Sequence, residues 1–133
     1  AAVNQARNDG ATPLSMACQN GHLEVARLLR DASAAINQAA EDGTTPLLVA
    51  CLKGHVDIVR LLLGADAAVN QATDDGTTSL YAACQEGHLE IVQLLLEASA
   101  AINQAAGRGF RPLHVACQEG HPAVVLCLLR AGA

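Results

Sequence analysis

The chain is 133 residues long, enough for one domain, and its 8 Lys+Arg against 13 Asp+Glu give a formal charge of −5, a balance unsuited to nucleic acid, whose binding rests on phosphate neutralisation. Hydrophobic residues make up 51% of it, yet Phe110 and Tyr81 are the only aromatic side chains and Trp is absent, so the core must be Ala, Leu, Val and Ile in closely packed helices. No apolar run approaches the ~18 residues of a membrane span and no signal peptide opens the sequence, so no membrane is expected among its partners.

Taken in order, the chain is one unit repeated four times. Glycines fall at Gly10, Gly43, Gly76 and Gly109, and Ala-Cys pairs at 17–18, 50–51, 83–84 and 116–117. Gly-His pairs fall at 21–22, 54–55, 87–88 and 120–121, a period of 33 residues throughout. The first unit, Val3 to Ala35, carries Asp9-Gly10-Ala11-Thr12-Pro13-Leu14 and then an apolar segment around Val25, Leu28 and Leu29.

The second unit, Ile36 to Ala68, shows the local physics most plainly. Thr45 before Pro46 predicts a helix start, because Thr accepts an orphan backbone N–H and Pro at the first helical position loses no needed donor. Leu47, Ala50 and Cys51 stand at i, i+3 and i+4, one apolar stripe of a short helix. Gly54 predicts its stop, since a residue without Cβ enters the left-handed cap conformation at little cost. His55 opens a second segment with Ile58, Leu61 and Leu62 at the same spacing, and Ala67-Ala68-Val69-Asn70 then leads to the turn signal Asp75-Gly76.

The third unit, Val69 to Ala101, has Ser79 in place of Pro, which Thr78 at the cap tolerates. The fourth, Ile102 to Ala133, departs most: its loop reads Gly107-Arg108-Gly109-Phe110-Arg111, and Arg111 stands where the others have a capping Thr. Its first helix is expected to start less firmly, a capping side chain being worth ~1 kcal/mol. Two short helices and a loop cannot bury their own apolar faces, so each unit needs neighbours.

A 33-residue period built on Thr-Pro-Leu-x-x-Ala resembles the ankyrin-repeat family over essentially the whole chain. The resemblance implies an all-α solenoid of four helix-turn-helix units with projecting β-hairpin loops, one domain spanning residues 1–133. In two columns the chain departs from the family. Where the family closes its second helix with Gly, this sequence has Ser33, Asp66 and Ser99, with Gly132 only in the last unit, so strained or differently shaped turns are expected. The family's His after Thr-Pro-Leu survives only as His114, replaced by Ser15, Leu48 and Tyr81.

Five cysteines raise the question of disulfides and metals. Cys18, Cys51, Cys84 and Cys117 share one column, which the family usually fills with Ala, and Cys127 replaces a Leu of the second helix. All five are expected to be reduced, buried hydrophobes in an intracellular, cytoplasmic setting. The Cys-x-x-x-His spacing recurs four times, but a glycine breaks the helix inside each pair and rungs ~10 Å apart do not converge as zinc requires. No metal or other cofactor is expected. With no phosphate loop, catalytic triad or paired carboxylates identifiable, neither is an enzyme.

Function must then lie on the surface, as protein recognition. The resemblance implies contact through the loop tips and the inner face of the first helices. The tip positions are Asn8 and Asp9; Glu41, Asp42 and Thr44; Asp74, Asp75 and Thr77; Arg108 and Phe110. The helix positions are Gln19 and Asn20, Leu52 and Lys53, Gln85 and Glu86, Gln118 and Glu119. Three tips are acidic and the fourth is basic, so a protein with a basic surface is the expected partner. A structural spacer within a longer array, stacking end on end, is the alternative. Leu126, in the column of Arg27, Arg60 and Gln93, predicts a covered end and weak self-association through the terminal repeats. The asparagines Asn4, Asn37, Asn70 and Asn103 match a position hydroxylated in some ankyrin-like proteins, and local hydrogen bonding is their competing role.

Overall fold

In the computed structural model, which describes residues 2–133, the two short apolar segments of every unit are helical. In chain order they are α1 (Pro13–Asn20), α2 (Leu23–Asp31), α3 (Pro46–Lys53), α4 (Val56–Gly64), α5 (Ser79–Glu86), α6 (Leu89–Glu97), α7 (Pro112–Glu119) and α8 (Pro122–Arg130). The first helices stack α1 on α3 on α5 on α7, and the second helices form a parallel row, α2 to α8. Leu14, Leu47, Leu80, Ile58, Ile91, Leu62 and Leu95 fill the seam between the rows, each at most 1% exposed. The loops between units fold back as hairpins, each closed by a backbone bond, without forming a strand among the described residues.

The helix starts follow the Thr-Pro reading. The hydroxyls of Thr12, Thr45 and Thr78 accept the N–H of Ser15 at 3.2 Å, Leu48 at 3.2 Å and Tyr81 at 3.1 Å. Arg111 has no acceptor to offer, yet α7 begins at the same place. His114 supplies half of what is missing: its Nδ1 accepts the Arg111 N–H at 2.9 Å. The N–H groups of the first turn itself stay without a side-chain cap there, so the deficit of ~1 kcal/mol stands.

The second helices end in the left-handed conformation despite lacking glycine. Ser33, Asp66 and Ser99 have φ of 65°, 63° and 67°. The turn keeps its ordinary shape because the next N–H closes it: Ala34 to Leu29 O at 3.0 Å, Ala67 to Leu62 O at 3.0 Å and Ala100 to Leu95 O at 2.9 Å. Strain, rather than a new turn shape, is the consequence, at ~1–2 kcal/mol for each such residue.

Burial corrects the cysteine expectation. Cys18, Cys51 and Cys84 are buried, and Cys127 is half-buried, but Cys117 is exposed. At Cys18, Cys51 and Cys84 the column faces the following repeat, and no described repeat covers Cys117. Burial pushes the thiols of Cys18, Cys51 and Cys84 up to about 12. Thiol labelling of the native protein near neutral pH should therefore modify Cys117 rapidly and Cys127 more slowly, and the other three only on unfolding. Mass spectrometry of labelled peptides checks this; fast native labelling of Cys51 would contradict it.

Candidate protein-binding face

Each loop tip is held by identifiable hydrogen bonds. The hairpins are closed by Arg7 N–H to Ala11 O (2.8 Å), Ala40 to Thr44 (2.9 Å), Thr73 to Thr77 (2.9 Å) and Ala106 to Phe110 (2.7 Å). Within the first three, an aspartate carboxylate accepts the N–H two residues on: Asp9 from Ala11 at 3.0 Å, Asp42 from Thr44 at 3.0 Å and Asp75 from Thr77 at 3.2 Å. Neighbouring tips are then stitched together, Glu41 N–H to Asp9 O at 3.2 Å, Asp74 to Asp42 at 3.0 Å and Gly107 to Asp75 at 2.8 Å. Gly43 is needed there, with φ +87° and an added Cβ only 2.9 Å from the Thr73 Cα.

The same bonds set the charge of the tips. Hydrogen bonding from Thr44 holds the Asp42 carboxyl below the usual carboxylate range, and the hydroxyls of Thr73 and Thr77 do so for Asp75. A lowered folded pKa makes this contribution present above the ordinary carboxylate pKa and lost as pH falls through the lowered value. Asp9 lies 3.7 Å from the Arg7 guanidinium, whereas Asp42 and Asp75, like Glu41 and Asp74 beside them, make no ion pair among the described residues.

A line of shallow concavities runs along the loop tips, and the first and third reach the first helices. The first is lined by Asp9, Ala11, Ser15, Gln19, Glu41, Asp42, Thr44 and Val49, the second by Asp42, Thr73, Asp74, Asp75 and Thr77. The third takes Asp75, Thr77, Tyr81, Gln85, Gly107 and Arg108. Asp42 and Asp75 are shared between adjacent hollows, so the three form one groove.

Of the residues expected from the sequence, Asp9, Gln19, Glu41, Asp42, Thr44, Asp74, Asp75, Thr77, Gln85 and Arg108 come together along this groove. Asn8, Asn20, Leu52, Lys53, Glu86, Phe110, Gln118 and Glu119 are exposed but line none of its hollows. Ser15, Val49 and Tyr81 form its helical wall and were not among the expected residues. They stand one turn before Gln19, Lys53 and Gln85, so extending those helix positions by i−4 would have found them.

The fourth tip has another shape. Gly107–Gly109 is a short 3-10 turn with Arg108 at φ 64°, and no aspartate braces it. Phe110 packs edge-on against His114, ring centroids 6.1 Å apart, and stays 41% exposed. The groove thus changes along its length from carboxylates to a guanidinium beside an exposed aromatic pair.

The repeated Cys-x-x-x-His pairs are split by the fold. Cys18, Cys51 and Cys84 are buried in the core, whereas His55, His88 and His121 turn to carbonyls of the preceding first helix. Among the described residues no group of three or more His, Cys, Asp or Glu is placed to hold a metal ion. The asparagines Asn4, Asn37 and Asn70 likewise serve neighbouring repeats, each accepting a backbone N–H across the junction. No described helix is long and apolar enough to cross a membrane.

A family model described as ankyrin repeats (3 copies) matches residues 1–73 and 63–133. No curated protein matches the chain.

Proposed function

We propose that this chain, which belongs to the ankyrin-repeat family, is a non-enzymatic recognition module that holds a protein partner along the groove between its loop tips and first helices. Ankyrin repeats are generally protein–protein interaction modules. The observation that carries the reading to a surface is the row of braced carboxylates at Asp42 and Asp75 opposite the wall of Val49 and Tyr81. Carboxylates already fixed by their own turns lose little entropy on binding, and the apolar wall gives a partner's side-chain stems something to cover. A basic segment therefore suits the first three repeats, with an acidic or aromatic group at Arg108 and Phe110. Five unpaired thiols favour a reducing compartment.

The test is a pull-down with the immobilised chain beside its Asp42→Asn/Asp75→Asn variant. Asn keeps the turn acceptor, so the change removes charge alone. At ~0.5–1 kcal/mol for each exposed charge, affinity for a basic partner should fall roughly five- to thirtyfold and lose much of its salt dependence. Equal affinity at low salt would defeat the reading.

A further inference from the structure

Asp42, Asp75 and Arg108 occupy one column of the loop tips, each 33 residues after the last. Adjacent tips are bonded backbone to backbone, Asp74 N–H to Asp42 O and Gly107 N–H to Asp75 O, so the column follows the helix stack. Its rungs are therefore one stacking step apart, about 8–10 Å. All three residues border the groove, and none makes an ion pair among the described residues. Asp9, the remaining member of the column, already faces Arg7. The groove thus presents two carboxylates and then a guanidinium, at the pitch of the repeat.

A chain laid along this row must bring a charged side chain to the same side once per step. A β-strand repeats a face every two residues, about 6.6–6.8 Å, which falls short, and at four it overshoots. A polyproline II helix repeats a face every three residues, at ~9.3 Å. An α-helix comes near the pitch only at seven residues, about 10.5 Å.

The groove's chemistry separates these backbones further. No strand is present among the described residues for a second strand to extend, and the N–H groups of Thr44 and Thr77 are taken by Asp42 and Asp75. A helix bound in a groove is held by a continuous apolar stripe. Here Val49 and Tyr81 are separated by a hollow lined by Asp42, Thr73, Asp74, Asp75 and Thr77 alone, without an apolar side chain of any size. A polyproline II segment needs no backbone partner, and its stiffness keeps the ordering cost of binding low.

We propose that the partner segment of the groove is a polyproline II stretch with basic side chains at positions i and i+3 and a carboxylate at i+6. Resting on the groove reading above, the assignment is narrower: the basic groups meet Asp42 and Asp75, and the carboxylate meets Arg108. Prolines between the charged positions hold the segment in that conformation. The ladder reads the order of charges rather than chain direction, because such a helix keeps its three-residue spacing either way round.

Fluorescence anisotropy at low salt tests it, with the whole chain and labelled peptides. One proline-rich peptide carries Lys, Lys and Glu three residues apart. Others of the same length and composition space these charges two or four apart, or place Glu between the lysines. An Ala-rich helical peptide spaces them seven apart. The three-residue peptide should bind tightest, by roughly five- to twentyfold, since each exposed charge out of place costs about two- to fivefold. Arg108→Glu should reverse the preference at the third position from Glu to Lys.

Equal affinity across the spacings, or tightest binding by the helical peptide, overturns the proposal. So does a folded Arg108→Glu variant whose preference is unaltered. If Asp42→Asn/Asp75→Asn still weakens every peptide in those cases, the groove stands and only the assigned segment falls; if that variant changes nothing, both fall together. The spacing comparison uses the wild-type chain alone, so it decides the matter even if Arg108→Glu does not fold.

Discussion

Gly87→Ala is expected to destabilise the fold by about 2–3 kcal/mol, whereas Gly120→Ala should cost about 1–2 kcal/mol. Both glycines sit at φ of 75° and 73°, so the backbone strain of adding a methyl is the same. Their surroundings differ. A Cβ on Gly87 would stand 2.6 Å from Nδ1 of His121, while one on Gly120 meets nothing within 4 Å. The His121 ring would have to move, loosening its 2.9 Å contact with the Gln85 carbonyl, and the junction between third and fourth repeats with it. Urea unfolding of the two variants measures the difference. Equal losses would mean that the Gly-His pair serves helix capping alone and does not tie repeats together.

Leu95→Ala should cost about 2–5 kcal/mol, the range for emptying a fully buried leucine site. Leu95 is 0% exposed on α6. Leu129→Ala, at a site 52% exposed, should cost a fraction of that. In a solenoid each repeat is held by its neighbours alone, so the damage should be local. Amide hydrogen exchange is expected to show α5 to α8 losing protection while α1 to α4 retain much of theirs. A uniform loss across all eight helices would contradict nearest-neighbour stability.

The repeat, the helix starts and the left-handed stops were legible because each rests on a few adjacent residues. Thr45-Pro46 and Gly54 carry their conformations locally, and Ser33, Asp66 and Ser99 were recognisable as a column wanting glycine. What escaped depends on place in the stack. Cys117 shares its column with three buried cysteines, yet it is exposed because burial there comes from the following repeat. Arg111 was legible as a missing cap, but the compensating bond to His114 Nδ1 required the geometry of the first turn. The tips were legible by resemblance, while the wall of Ser15, Val49 and Tyr81 emerged only once helix and loop were seen to face one groove.

The groove itself is tested most directly by NMR, titrating the labelled chain with a short lysine-rich peptide. Acidic residues also lie on the outer row, among them Asp57, Glu90 and Glu97, so attraction to net charge alone would perturb both sides of the molecule. Binding in the groove should shift the amides of Thr44, Val49, Thr77 and Tyr81 together, and Asp42→Asn/Asp75→Asn should largely abolish those shifts. Shifts spread equally over α4 and α6, or unchanged in the variant, would contradict a partner site between tips and first helices.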